Sequence, residues 1–96
     1  MDVSQVCNFL EQRKRNLRCK ELSATLVDLG FCVKDGKRGG HKVLTHDGLA
    51  DFYSQSFNCG HGKNPEIKPA YISKIISLLR EYEQPLNKFL KERGHD

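Results

Sequence analysis

The chain has 96 residues, a length typical of one domain built around a single hydrophobic core. Hydrophobic residues make up 38% and charged residues 29%, which excludes a disordered chain, and no apolar run approaches the length of a membrane span. Sixteen basic against twelve acidic residues give a net charge of +4, a modest excess that by itself is weak evidence for an anionic partner.

Two helices are predicted at the beginning of the chain, over residues 2–14 and 17–29. In both segments apolar residues recur at intervals of three and four, which places them on one helical face. These stripes consist of Val3, Val6, Cys7 and Leu10 in the first helix and of Cys19, Leu22, Leu26 and Leu29 in the second. Asn16 is the expected N-cap of the second helix, and Gly30 is expected to end it in a left-handed conformation.

After this helix the pattern changes to short strands separated by glycine-containing turns. The predicted strands cover residues 31–33, 41–46 and 53–59. Either Asp35-Gly36 or Gly39-Gly40 supplies the turn between the first two strands, and residues 60–65 form a loop.

Helical periodicity returns over residues 69–82. Pro85 interrupts the apolar pattern, so a break near residue 83 and a short final helix are expected. The element order predicts a single α+β domain over residues 1–96, in which helices cover one face of a three-stranded antiparallel sheet.

The four cysteines lie at positions 7, 19, 32 and 59, without the close pairs that zinc sites present. The N-terminus shows no basic region followed by an apolar run, so a cytoplasmic location is expected. Disulfides are rare in that compartment, and all four cysteines are therefore expected to act as small hydrophobic residues.

The densest polar cluster is KRGGHK at residues 37–42. Its cations can hold phosphates, its two glycines allow close approach of the backbone, and the imidazole of His41 can accept and donate a proton near neutral pH. RNA supplies its own nucleophile, the 2′-hydroxyl, so no metal or cofactor is required for its cleavage. From the residues alone, a histidine in a hairpin is more often an ordinary polar residue of a strand than a catalytic one.

Three segments together resemble the HicA family of toxins, which cleave messenger RNA and are paired with HicB antitoxins. The segments are LVDLGF at 26–31, KRGGHKVL at 37–44 and HGKNPEIKPAYISKII at 61–76, in the family's order. The resemblance covers about residues 17–80. It implies a fold like that of double-stranded-RNA-binding domains (dsRBD-like, α-β-β-β-α), extended here by an N-terminal helix and a C-terminal helical segment.

The resemblance also implies roles for individual residues. It makes His41 the catalytic residue. The residues implied to contact RNA are Lys37, Arg38, Gly39, Gly40 and Lys42, with His61 and Lys63 of the later loop in a secondary role. The family's serine before the histidine is replaced by Gly40, a departure that bears on activity.

The leading hypothesis is therefore the toxin of a type II toxin–antitoxin system, a metal-independent endoribonuclease whose partners are messenger RNA and a HicB-like antitoxin, with no membrane partner. A non-catalytic RNA-binding module of the same fold is the alternative. A third hypothesis is a metal site formed by His41, His46, Cys59 and His61. Against it, side chains alternate along a strand, so His46 is expected on the opposite face from His41.

Overall fold

A computed structural model describes residues 2–94, which fold in the order helix, helix, three strands, helix, helix. The elements are α1 (Val3–Gln12), α2 (Cys19–Asp28), β1 (Cys32–Asp35), β2 (His41–Thr45), β3 (Gln55–Asn58), α3 (Pro69–Glu81) and α4 (Glu83–Gly94). The predicted α+β class and the predicted order of elements are confirmed. None of the helices in this part of the chain has the length and hydropathy of a membrane span.

The ends of α2 show one wrong and one confirmed expectation. Asn16 does not cap this helix, because its side chain accepts a hydrogen bond from Nε of Arg13. The helix begins two residues beyond the predicted start, where a carboxylate oxygen of Glu21 accepts from the backbone N–H of Arg18 at 3.1 Å. At the other end, Gly30 has a φ of 95°, the left-handed conformation expected there.

The three strands form an antiparallel sheet in the order β1-β2-β3. Leu44 and Phe57, on one face of this sheet, are buried, whereas no strand residue on the other face is buried. We call the buried face the inner face and the other the outer face. The helices therefore pack against the inner face, as predicted, and the outer face is left without cover by the described residues.

The first and last helices both complete the core. Val3, Cys7 and Leu10 of α1 and Leu86 of α4 are fully buried. The backbone N–H of Val3 donates to Oδ1 of Asn87 at 2.8 Å, which joins the two helices. The expected break falls at Tyr82, but α4 then continues for 12 residues, because Pro85 lies in its first turn, where a missing N–H costs no intrahelical hydrogen bond.

The interpretation of all four cysteines as fillers is wrong for three of them. Cys19 and Cys59 form a disulfide with their Cα atoms 5.4 Å apart, and Cys32 is exposed on the outer face. Only Cys7 is a buried thiol, and burial raises its pKa. The two bonded cysteines are 40 residues apart, so only the tertiary fold brings the start of α2 next to the end of β3.

Candidate nucleic-acid site

His41 is the first residue of β2, and its side chain lies on the outer face. The imidazole is half-buried and packs over the backbone of Gly36, whose missing side chain makes room for the ring. It borders an open pocket of about 470 Å³. The pocket is lined by Gly36, Lys37, Arg38, His41, Val43 and Asn58.

The turn between β1 and β2 places two cations beside this imidazole. The backbone N–H of Gly36 donates to the carbonyl of His41 at 2.8 Å, and the N–H of His41 donates to the carbonyl of Arg38 at 3.1 Å. These bonds hold the turn closed, with Lys37 and Arg38 exposed at its tip and lining the pocket of His41. The structure thus brings together the predicted catalytic residue and two of the predicted phosphate ligands.

The two glycines before His41 have different roles. Gly39 has open space where a side chain would be. Gly40 has a φ of 83°, and its carbonyl oxygen accepts a hydrogen bond from the backbone N–H of Cys59 at 2.6 Å. A Cβ at this position would overlap the carbonyl oxygen of Gly60. The serine that the HicA family carries at this position does not fit this backbone, because its Cβ would overlap that oxygen.

Lys42 is not part of this arrangement. It follows His41 directly in β2, so its side chain lies on the inner face. There it forms an ion pair with Asp35, its partner across the β1–β2 ladder. The structure does not bring Lys42 together with His41, Lys37 and Arg38.

His61 and Lys63 lie in an exposed loop, residues 60–66, that follows β3. The loop is held to α2 at both ends. The disulfide of Cys59 precedes it, and near its far end the side-chain oxygen of Asn64 accepts the backbone N–H of Lys20 at 3.0 Å. Between these anchors His61 and Lys63 are exposed to solvent.

A second pocket, of about 330 Å³, lies between this loop and the start of α3. It is lined by Asn58, Cys59, Gly60, His61, Pro65, Glu66, Lys68 and Tyr71. Asn58 borders both pockets, so they lie on either side of this residue. The sequence gives no signal for Asn58, because its place opposite His41 depends on the strand register.

His46, unlike His41, is only 5% exposed and belongs to the core. Its Nδ1 accepts the backbone N–H of Gly48 at 3.0 Å, and its Nε2 lies 3.0 Å from the carbonyl oxygen of Leu29. These partners fit the neutral ring with its proton on Nε2. The expectation that His46 lies on the opposite face from His41 is confirmed.

The hypothetical metal set is not assembled in the structure. His46 is directed into the core and Cys59 is bonded to Cys19, whereas His41 and His61 line different pockets. Within residues 2–94, no three His, Cys, Asp or Glu side chains are grouped as metal ligands would be.

Neither a protein-family model, nor a curated protein, nor a solved structure matches this chain.

Proposed function

We propose that this protein is an endoribonuclease of the HicA toxin type, with His41 as its general base or acid. The observation that carries the proposal is the position of His41. Its ring is accessible on the outer face, in a pocket whose other side chains include Lys37 and Arg38. A proton-transfer group beside two cations is the minimum that RNA cleavage by the 2′-hydroxyl requires.

In this mechanism the ribose of a single-stranded messenger RNA lies at the imidazole and the adjoining phosphate lies between the two cations. His41 accepts the proton of the 2′-hydroxyl as its oxygen attacks phosphorus. Lys37 and Arg38 stabilise the negative charge that gathers on the phosphate oxygens. The bond to the 5′-oxygen breaks and that oxygen takes a proton from a solvent water, which leaves a 2′,3′-cyclic phosphate and a 5′-hydroxyl.

The core from α2 to α3 follows the α-β-β-β-α order of the double-stranded-RNA-binding domain, and we include this dsRBD-like arrangement in the proposal. Its helices cover the inner face, so the outer face with its cations is where RNA would bind. A HicB-like antitoxin would then act by covering this face with acidic groups. Such a partner would exclude RNA directly.

Cleavage of single-stranded RNA in the presence of a chelator tests the proposal. His41→Ala is expected to lose about 100- to 10,000-fold in rate, the usual contribution of a positioned acid or base. Lys88→Ala, which removes an exposed cation of α4, is the matched control and should cleave as the unmodified protein does. Equal cleavage by the unmodified protein and His41→Ala would remove His41 from the mechanism.

The second candidate, a non-catalytic RNA-binding module, is favoured by Gly40 in place of the family's serine. The same assay separates the two. Salt-sensitive RNA binding without any product over hours would support the binding module, whereas a 2′,3′-cyclic phosphate product that depends on His41 would exclude it. Growth arrest on expression that is absent with His41→Ala would extend the enzyme proposal to the toxin role.

A further inference from the structure

The second pocket shares the lining residue Asn58 with the His41 pocket and has the size of a small-molecule site. Its volume of about 330 Å³ lies at the lower end of the range for small-molecule pockets, roughly 300–1,000 Å³. Asn58 stands between the two pockets, and its Oδ1 accepts the backbone N–H of Gly60 at 2.7 Å. This bond occupies the amide oxygen, so the group that Asn58 has to offer a phosphate is its amide nitrogen, a donor.

One wall of the second pocket is aromatic. Tyr71, in the first turn of α3, is half-buried and packs against the hydrophobic core, which holds its ring in place. A fixed ring at the edge of a nucleic-acid site provides a surface on which any base can stack. The wall therefore fits a base rather than a phosphate, but it does not by itself select which base.

A second wall of this pocket includes an acidic residue, Glu66. Its backbone pairs with that of Arg18, and its carboxylate lies 3.9 Å from Nη2 of the same arginine. A carboxylate accepts hydrogen bonds and does not donate them, so it favours a base edge that carries donors. Guanine presents two adjacent donors, N1–H and N2–H, whereas uracil presents one donor between two carbonyl oxygens that a carboxylate repels.

We propose that the second pocket binds one base of the RNA strand, adjacent to the phosphate at His41, and that it selects guanine. This inference rests on the proposed function, because the neighbouring phosphate site is the His41 pocket. The base stacks on Tyr71, its two donors bind the carboxylate of Glu66, and the side-chain amide of Asn58 donates to the phosphate between the pockets. The enzyme would then cut next to guanines.

Binding of the four nucleoside 3′-monophosphates, measured by calorimetric titration, tests this proposal without requiring cleavage. We expect 3′-GMP to bind about tenfold or more tightly than 3′-UMP, the discrimination given by one bidentate base contact. Glu66→Gln should remove this preference, because it weakens the contact with guanine and relieves the repulsion of uracil. Glu81→Gln, at the exposed end of α3, is the control and should keep the preference.

Tyr71 is tested separately because it contributes to packing. Tyr71→Leu should weaken all four nucleotides by similar factors, whereas Tyr71→Phe, which keeps the ring, should bind them as the unmodified protein does. Tyr53→Leu removes an exposed tyrosine outside both pockets and should change nothing. If Tyr71→Phe weakened nucleotide binding as much as Tyr71→Leu does, the stacking role would be overturned.

The two proposals fail in different ways. If all four nucleotides bound with equal affinity and Glu66→Gln changed nothing, the guanine pocket would be overturned. This would hold even if RNA cleavage depended on His41. A guanine preference that depends on Glu66, in a protein without ribonuclease activity, would support the pocket and overturn only the enzyme.

Discussion

The first residue of β2 and the residue just after its end are both histidines, in opposite surroundings. At one end His41 lies on the open face, beside the cations of a glycine-containing turn. Just beyond the other end His46 lies between the rings of Phe31 and Phe89, each with its centroid 4.7 Å away, and both of its nitrogens have backbone partners. Strand face and surroundings, more than residue type, therefore decide whether a histidine is available for chemistry.

Removing each ring in turn tests whether the two histidines have separate roles. His46→Ala should lower the free energy of unfolding by about 2–4 kcal/mol, because it leaves a cavity and an unpaired carbonyl at Leu29. Its RNA cleavage per folded molecule should stay within about twofold, the reverse of the pattern expected for His41→Ala. Urea unfolding and cleavage assays measure the two effects. A folded His46→Ala protein that cleaves tenfold more slowly would contradict the separation.

The disulfide is expected to stabilise the His41 end, where Cys59 also hydrogen-bonds to Gly40. Replacing both bonded cysteines by serine should lower the free energy of unfolding by as much as about 4 kcal/mol, since the cross-link closes a long loop. Denaturant unfolding without reductant measures the loss. The control is Cys32→Ser, which removes an exposed free thiol and should change the free energy of unfolding by no more than about 0.5 kcal/mol. If the double variant and the unmodified protein unfold at the same denaturant concentration, the cross-link contributes nothing.

The turn before His41 can be tested with one added side chain. Gly40→Ser should lower the free energy of unfolding by about 1–3 kcal/mol, because residue 40 has a positive φ and its Cβ would meet Gly60. Gly39→Ser, with open space around it, should cost much less. Thermal unfolding of both variants provides the comparison. A Gly40→Ser protein as stable as Gly39→Ser would show that the backbone accepts the HicA family's serine.

The smallest expected effect concerns the start of α2. A hydrogen bond from Arg13 and one from the backbone of Arg18 hold the pKa of Glu21 below its ordinary value. A lowered folded-state pKa stabilises the fold above the unfolded-state pKa, and this contribution is lost as the pH falls through the folded-state value. Glu21→Gln should therefore unfold at a slightly lower temperature at pH 7, and the difference should shrink toward pH 3. Glu92→Gln serves as the exposed control, with no such pH-dependent difference.

Much of the fold follows from local patterns in the sequence. Apolar spacing located the helices, and Gly30 marked the end of α2. The alternation of side chains along β2 correctly separated His46 from His41. Applied to the next residue, the same alternation places Lys42 on the face opposite His41, which the resemblance to the HicA family had obscured.

Other features depend on contacts that local patterns do not encode. The Cys19–Cys59 pair arises because a loop after β3 returns to the start of α2. Asn58 reaches the site through the register of β2 and β3, and Glu66 through its bridge to Arg18. Local sequence patterns do not predict these residues, because each belongs to the site only through a tertiary neighbour.

The hydrogen bond between Val3 and Asn87 has a practical consequence for engineering the protein. It holds the first and last helices side by side, and Phe89 ties α4 to the His46 end of the sheet. A short flexible linker could therefore join these helices, with new ends opened in the exposed turn at residues 50–51. Such a circular permutant would keep every contact around the His41 pocket while moving any attached label to a different side of the molecule.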